Sequence, residues 1–224
     1  MAQSQTIVEA KGVRKEYFRK GREAARYFDA VPQTDFVLER GELVEVTGRS
    51  GSGKTTLLSM LCGLLTPTEG VVLVDGQDLY ALDDAKRSAL RNERFGVIPQ
   101  GQTPLADLTV LQNVFLPYTM YRDPGDVEQR ALELLAVLGV AELSECYPQE
   151  LSGGEMRRIA VARALICQPD VVFADEPTGD LDDHNTALVL QALRDAADAG
   201  AAVMLVTHEQ AASAYADRLV KLGQ

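Results

Sequence analysis

The alternation of apolar and polar positions along this chain changes period several times, and each change predicts an element. Glu42 to Thr47, "ELVEVT", predicts a strand that ends in a glycine-rich turn and leads straight into the apolar helical run "TTLLSMLCGLL". Pro67 stops that helix, and "GVVLVDG", Gly70 to Gly76, predicts a short strand closed by an Asp-Gly turn. A further strand, "FGVI", reaches Pro99 and Gln100. From about residue 101 to 160 the period becomes helical. Val127, Ala131, Leu134, Leu135 and Leu138 share one face there, with Asp126 placed as an N-cap and Gly139 as a stop. The run Ile159 to Ile166 has only Arg163 as a polar residue and predicts a largely buried helix. "VVFADE" opens as a wholly apolar strand, which belongs in the middle of a parallel sheet covered on both faces. A helix over roughly Thr186 to Ala199, ended by Gly200, and the buried strand "AAVMLVTH" complete the pattern.

The pattern is that of a single α/β unit with a mainly helical lobe inserted in its core, and the chain's 224 residues are ample for a sizeable core. Composition agrees, because 46% hydrophobic and 25% charged residues describe a folded chain, not a disordered one. The net charge of −11 argues against a surface built mainly to bind a nucleic-acid backbone. One local exception is "RKEYFRKGREAAR", Arg14 to Arg26, whose six basic residues outnumber two acidic ones beside the pair Tyr17-Phe18. That composition fits a solvated hairpin arm and a nucleotide-facing one equally. No stretch approaches the roughly 18 apolar residues of a membrane span. "MAQSQTIVEA" lacks the basic start and apolar core of a secretory signal. Cys62, Cys146 and Cys167 are scattered, without metal-site spacing, and are expected as small hydrophobes in a reducing compartment.

The chemistry-bearing residues cluster at predicted element ends. "GRSGSGKTT", Gly48, Arg49, Ser50, Gly51, Ser52, Gly53, Lys54, Thr55 and Thr56, matches the Walker A pattern between a strand and a helix. Its glycines let backbone amides wrap phosphates, Lys54 can reach the β- and γ-phosphates, and the Thr55 hydroxyl can ligate Mg²⁺. Asp175 and Glu176 end the apolar strand at the carboxyl edge of the sheet, where α/β ligand sites lie. Asp175 suits the holding of Mg²⁺, and Glu176 the deprotonation of an attacking water. Gln100 and His208 each end a strand and so reach the same edge. His184, in "LDDHN", reads as a surface residue. A second helix start, "LSGGEMRRIAVARAL", carries Ser152 and Glu155 at capping-box spacing. Gly153 and Gly154 are not needed for the cap and cost helix propensity, which points to a group approaching the backbone closely. A phosphate at the positive end of the helix dipole is the natural visitor.

Taken in order, these motifs resemble the ATP-binding-cassette ATPase family over nearly the whole chain. "GRSGSGKTT" is similar to the family's Walker A, Gln100 to its Q-loop, "LSGGE" to its signature, "VVFADE" to its Walker B, "GDLD" ending at Asp182 to its D-loop, and His208 to its switch histidine. The resemblance implies a P-loop NTPase core with a mixed, mainly parallel sheet over about 1–100 and 160–224, and a helical subdomain over about 101–159. It implies ATP and Mg²⁺ as cofactors and catalytic roles for Lys54, Gln100, Glu176 and His208. Thr55, Gln100 and Asp175 would ligate the metal. Ser152, Gly153, Gly154 and Asp182 would join the Walker A loop in binding nucleotide. Tyr17 resembles the aromatic that stacks on adenine, with Tyr27 and Phe28 as alternatives. The implied partners are a second copy of the chain, head to tail, and integral membrane permease subunits at the cytoplasmic face of the membrane. No nucleic acid is implied.

Within the family, "ADEPTGDLD" and "LTVLQNVFLPY" resemble the branch of macrolide, lipoprotein, haem and peptide exporters and the cell-division cassette. That branch usually has asparagine in place of Asp180 and glutamine in place of Met156. A regulatory cassette that signals through a membrane partner shares the same motifs. Nucleic-acid-associated relatives need a long coiled coil, a second cassette or zinc sites, and none of these is present in this sequence. The apolar segment "GQTPLADLTVLQNVFLPYTMY" after Gln100 is expected to face a membrane partner in part, including Leu105 and Tyr118.

Overall fold

A computed structural model of the chain describes residues 5–20, 25–101 and 104–223. It opens with two long strands, β1 (Thr6–Lys20) and β2 (Ala25–Glu39), paired antiparallel. Then β3 (Leu43–Gly48) leads to α1 (Lys54–Leu61), and β4 (Glu69–Val74) with the short β5 (Gln77–Asp78) returns beside β1. The helix α2 (Asp84–Arg94) precedes β6 (Phe95–Ile98). Next come α3 (Val110–Thr119), α4 (Val127–Val137) and α5 (Gly153–Leu165). The chain ends with β7 (Val171–Asp175), α6 (Asp183–Asp198), β8 (Ala202–Val206) and β9 (Arg218–Leu222).

The strands separate into two sheets. One is wholly parallel, in the order β6-β7-β8-β3-β9, and the other is antiparallel, in the order β2-β1-β4-β5. The antiparallel strands expected within a mixed sheet thus form a layer of their own. Period-two alternation assigns the faces of the parallel sheet. Val171 and Phe173 of β7 and Met204 of β8 pack with α1 and the antiparallel sheet, while Val172, Ala174 and Leu205 pack with α3 to α6. Leu57, Met60 and Leu61 of α1 are wholly buried between the two sheets. That burial fixes the start of α1 against the ends of the strands.

Several expected elements appear with shifted ends. The strand over 42–47 is β3, that over 70–76 is β4, and the helix from Thr186 starts earlier, at Asp183. Asp126 occupies the N-cap position of α4, but its side chain makes no capping hydrogen bond there. Gly139 follows α4 with φ +65°, the left-handed conformation that favours glycine after a helix. In the segment after Gln100, Leu111 and Val114 are core residues, and Phe115 and Tyr118 pack against them. Leu105 is exposed. Gln102 and Thr103, like Met1–Ser4 and Gly21–Ala24, lie outside the described residues. Buried Asn113 anchors the described part. Its Nδ2 donates to the carbonyls of Leu105 and Leu108 at 3.0 Å, and its Oδ1 accepts from the Leu105 amide at 2.8 Å. Among the described residues no helix is long and apolar enough to cross a membrane. The three cysteines are free, and burial pushes the Cys62 thiol up to about 12.

Candidate active site

The loops after β3, β6, β7 and β8 all leave the same edge of the parallel sheet, because parallel strands place their carboxyl ends together. They enclose a cavity of about 500 Å³. Ser50 to Thr56 form its floor, and Gln100, Asp175, Glu176 and His208 stand around it. The sequence motifs at these four strand ends, up to 160 residues apart, therefore meet in one place.

The glycine-rich loop has its shape for steric reasons. Gly53 holds φ +89° at the N-cap of α1, where a Cβ would collide with the Ala30 carbonyl oxygen. A glycine at that position leaves α1 with no side-chain cap, so its first amides are open to a ligand. A Cβ at Gly51 would meet nothing within 4 Å, and the buried Ser52 Oγ has no hydrogen-bond partner. Lys54 is only 7% exposed, and its Nζ donates to the carbonyls of Gly48 at 2.8 Å and Arg49 at 3.2 Å. The ammonium is thus fixed in the loop by two carbonyl oxygens. Arg49 contributes its carbonyl to this arrangement and does not line the cavity.

The two carboxylates differ in environment. Asp175 is buried at the end of β7, and that burial pushes its carboxyl above the ordinary range, opposed by a hydrogen bond from Thr55 and by the charge of Lys54. Glu176 holds φ +50°, its amide donates to the Val206 carbonyl at 2.8 Å, and its carboxylate lies 3.6 Å from His208 Nε2. At the mouth of the cavity β1 and β2 pair Tyr17 with Phe28, whose ring centroids are 6.0 Å apart, and both rings line the cavity. Tyr27, the other alternative, is 68% exposed and contacts Phe18 on the opposite face of the hairpin. The arm is thus both solvated and site-facing, on alternate residues. Its Arg14 is bound to Glu16, Asp29 and Glu69.

The second helix start is elsewhere. Ser152 and Glu155 form the capping box at the start of α5, with the Ser152 amide 2.7 Å from Glu155 Oε2, and Ser152 and Gly153 are exposed. None of Ser152, Gly153, Gly154 or Asp182 lines the cavity. Asp182 caps α6 through the Asn185 amide at 2.8 Å. Gly154 has a packing role as well, since a Cβ there would stand 3.0 Å from Leu181 Cδ2.

Residues 31–179 match the model of the ABC transporter family. The chain belongs to the ABC transporter family. It is that family's ATPase domain. The chain is 38% identical, over 96% of its length and 95% of the relative's, to the uncharacterized ABC transporter ATP-binding protein MJ1508 of Methanocaldococcus jannaschii. The bacterial ABC transporter cassette MJ0796, solved as a dimer, superposes with a TM-score of 0.89 at 33% identity, covering 96% of this chain and 94% of its own. The same cassette, solved as a dimer in a post-hydrolysis state bound to ADP and Pi, matches equally well.

Sequence reasoning missed some residues of this ATPase's cavity. Asp29 and Ala30 line it because β2 pairs with β1, a register that the charged, bulged sequence of the arm does not advertise. Arg157 was also missed. It reaches from α5 to the turn after β7, where its Nη1 donates to the Glu176 carbonyl at 2.7 Å.

Proposed function

We propose that this cassette hydrolyses ATP with Mg²⁺ in two sites shared between two copies of the chain, and so powers a separate membrane permease of the macrolide, lipoprotein, haem or peptide-exporting type. The observation that carries the reading is the convergence of Lys54, Asp175, Glu176 and His208 on a single cavity that excludes Ser152, Gly153 and Gly154. The cavity fits a nucleoside triphosphate. The uncapped amides of α1, the partnerless Ser52 hydroxyl and the open space beside Gly51 suit phosphate oxygens, and Tyr17 and Phe28 suit a flat base. The hard oxygen donors Thr55 and Asp175, with Gln100 beside them, suit Mg²⁺. Bound there, Mg²⁺ supplies charge neutralisation at the phosphate oxygens.

Each residue then has a task. Lys54, already fixed by two carbonyls, offers its ammonium to the β- and γ-phosphates at little reorganisation cost. Glu176 takes the proton of the water that attacks the γ-phosphorus as the bond to the bridging oxygen of ADP breaks, and His208 steadies the Glu176 carboxylate and the oxygens of the γ-phosphoryl group in transfer. Ser152, Gly153 and Gly154 of a second, head-to-tail copy close the exposed side of the γ-phosphate against water, and Asp182 lies along that seam. The permease contact lies where the helical subdomain over about 101–159 meets the core. Exposed Leu64, Met120 and Tyr121 flank a groove of about 370 Å³ that suits an apolar partner helix better than the half-buried Tyr118 does. Glu176→Gln preserves size and hydrogen bonding while removing basicity. It should retain ATP and lower turnover of the assembled complex by about a hundredfold or more. Wild-type turnover by Glu176→Gln would refute the reading.

A further inference from the structure

We propose that Arg157 is a positioning residue that ties the signature helix α5 to the general base of the same chain, and so couples the two composite sites of the dimer. The proposal rests on the reading above of Glu176 as base and of Ser152–Gly154 as the half-site for a partner's nucleotide.

Arg157 lies in the second turn of α5, and its side chain is only 15% exposed. The guanidinium crosses to the turn after β7. Nη1 donates to the Glu176 carbonyl at 2.7 Å, and Nη2 stands 3.7 Å from Asp180 Oδ2. Both Glu176 and Asp180 hold positive φ, +50° and +60°, a region that costs any residue with a side chain and persists only where the surroundings impose it. For Glu176 the surroundings are identifiable. Its amide is held by the Val206 carbonyl of β8 and its carbonyl by Arg157, so the peptide carrying the base is gripped from the sheet on one side and from α5 on the other. The carbonyl bond is the stronger contact, being short and charge-assisted, whereas the Asp180 carboxylate is 96% exposed and its ion pair is screened. Gly179 provides the space, since a Cβ there would stand 2.5 Å from Nη1.

One helix therefore presents its first turn to the partner's nucleotide and grips its own base with its second. A shift of α5 as it closes on the partner's phosphate moves the Glu176 carbonyl through a single hydrogen bond. A residue that only stapled the fold would be indifferent to nucleotide in the other site.

The test uses the complete complex with its membrane subunits. Arg157→Ala should lower kcat by about tenfold to a hundredfold, because a base displaced by about 1 Å loses that much. It should leave the KM for ATP and the affinity of the isolated cassette for a fluorescent ATP analogue within about twofold, and bring the Hill coefficient for ATP close to one. Gly179→Ala leaves Arg157 in place and displaces only its flexible tip, so it should act in the same direction more weakly. It should add nothing in the Arg157→Ala background. Arg157→Lys, which keeps a charged donor, should recover part of kcat. Wild-type kcat and cooperativity in Arg157→Ala would overturn the proposal, as would additive effects of the two substitutions or a parallel loss of Tm, nucleotide affinity and kcat. Glu176→Gln measured alongside separates the failures. If it is inactive while Arg157→Ala is normal, the coupling alone is wrong. If it turns over like wild type, the base assignment falls and the proposal with it.

Discussion

The chain has two glycine-rich helix starts, and they are built in opposite ways. At α1 the N-cap is a left-handed glycine with no side chain to satisfy the amides, and the loop around it is enclosed by the ends of four strands. At α5 the N-cap is Ser152, which closes a capping box with Glu155, and the cavity residues lie elsewhere. The capping box lowers the Glu155 carboxyl below its usual range through the Ser152 amide. The first start leaves its amides without a side-chain cap and lines a cavity within one molecule, which suits an anion. The second has its first amides engaged by a capping box, and its residues do not line the cavity of its own chain. Under the function proposed above, the second start belongs to the site of another copy, an arrangement compatible with the dimeric MJ0796 cassettes that this fold matches.

Single substitutions at the two starts should separate these roles. Lys54→Ala should weaken ATP binding to the isolated cassette by about tenfold to a hundredfold, since it removes a charged hydrogen-bond donor from a closed site. Ser152→Arg should leave that binding within about twofold and abolish only the dimer's capacity to occlude nucleotide. Titration with a fluorescent ATP analogue checks both. Equal damage to monomer binding by the two variants would erase the distinction.

Glycine replacements give the next largest effect. Gly53→Ala must relieve a collision with the Ala30 backbone from a positive φ, and should cost about 3 kcal/mol of stability in chemical denaturation. Gly154→Ala meets only the tip of the Leu181 side chain, gains helix propensity, and should cost less than about 1 kcal/mol. Its effect should appear in dimer formation instead.

The smallest effect concerns Asp175. Burial raises its carboxyl pKa in the folded chain, so the folded state disfavours the charged form. The resulting destabilisation is absent at pH values below the unfolded pKa and develops as pH rises through the folded one. Asp175→Asn should therefore raise the Tm of the nucleotide-free cassette by about 2 °C at neutral pH and leave it unchanged in acid, while removing Mg²⁺-dependent ATP binding. A lower Tm at neutral pH would contradict the account.

What the sequence makes legible follows from burial. The strands β7 and β8 are buried on both faces and read as unbroken apolar runs, and the motifs at their ends could be placed on one edge. Of β1 and β2, the sequence offered only a hairpin arm over Arg14 to Arg26, and their extent and register were not legible, because the pairing shifts register between Ala10 and Val13 and again around Lys15, which destroys the period of two. α2 is mostly charged and buries no residue fully, with Leu90 alone of its large apolar side chains packing against the core, and Asp83 caps it through the Lys86 amide at 2.8 Å. β9 is a half-exposed edge strand. At the site, the convergence of Lys54, Asp175, Glu176 and His208 on one cavity was readable from motif and position. The choice among Tyr17, Tyr27 and Phe28 was not, because it depends on which residues share a face of a bulged hairpin. Arg157 was unreadable for a similar reason, since its partner is a backbone carbonyl that any residue would supply.

The central claim is that the start of α5 completes the site of another copy, and mixed dimers test it most directly. One dimer carries Lys54→Ala in one subunit and Ser152→Arg in the other, and a second dimer carries both substitutions in the same subunit. Occluded nucleotide per dimer is measured with a γ-phosphate mimic, so that any need for two sites in hydrolysis does not blur the comparison. With sites shared between copies, the first dimer concentrates both lesions in one site and should occlude one nucleotide, whereas the second damages both sites and should occlude none. Greater occlusion by the dimer with both substitutions in one subunit would contradict the account.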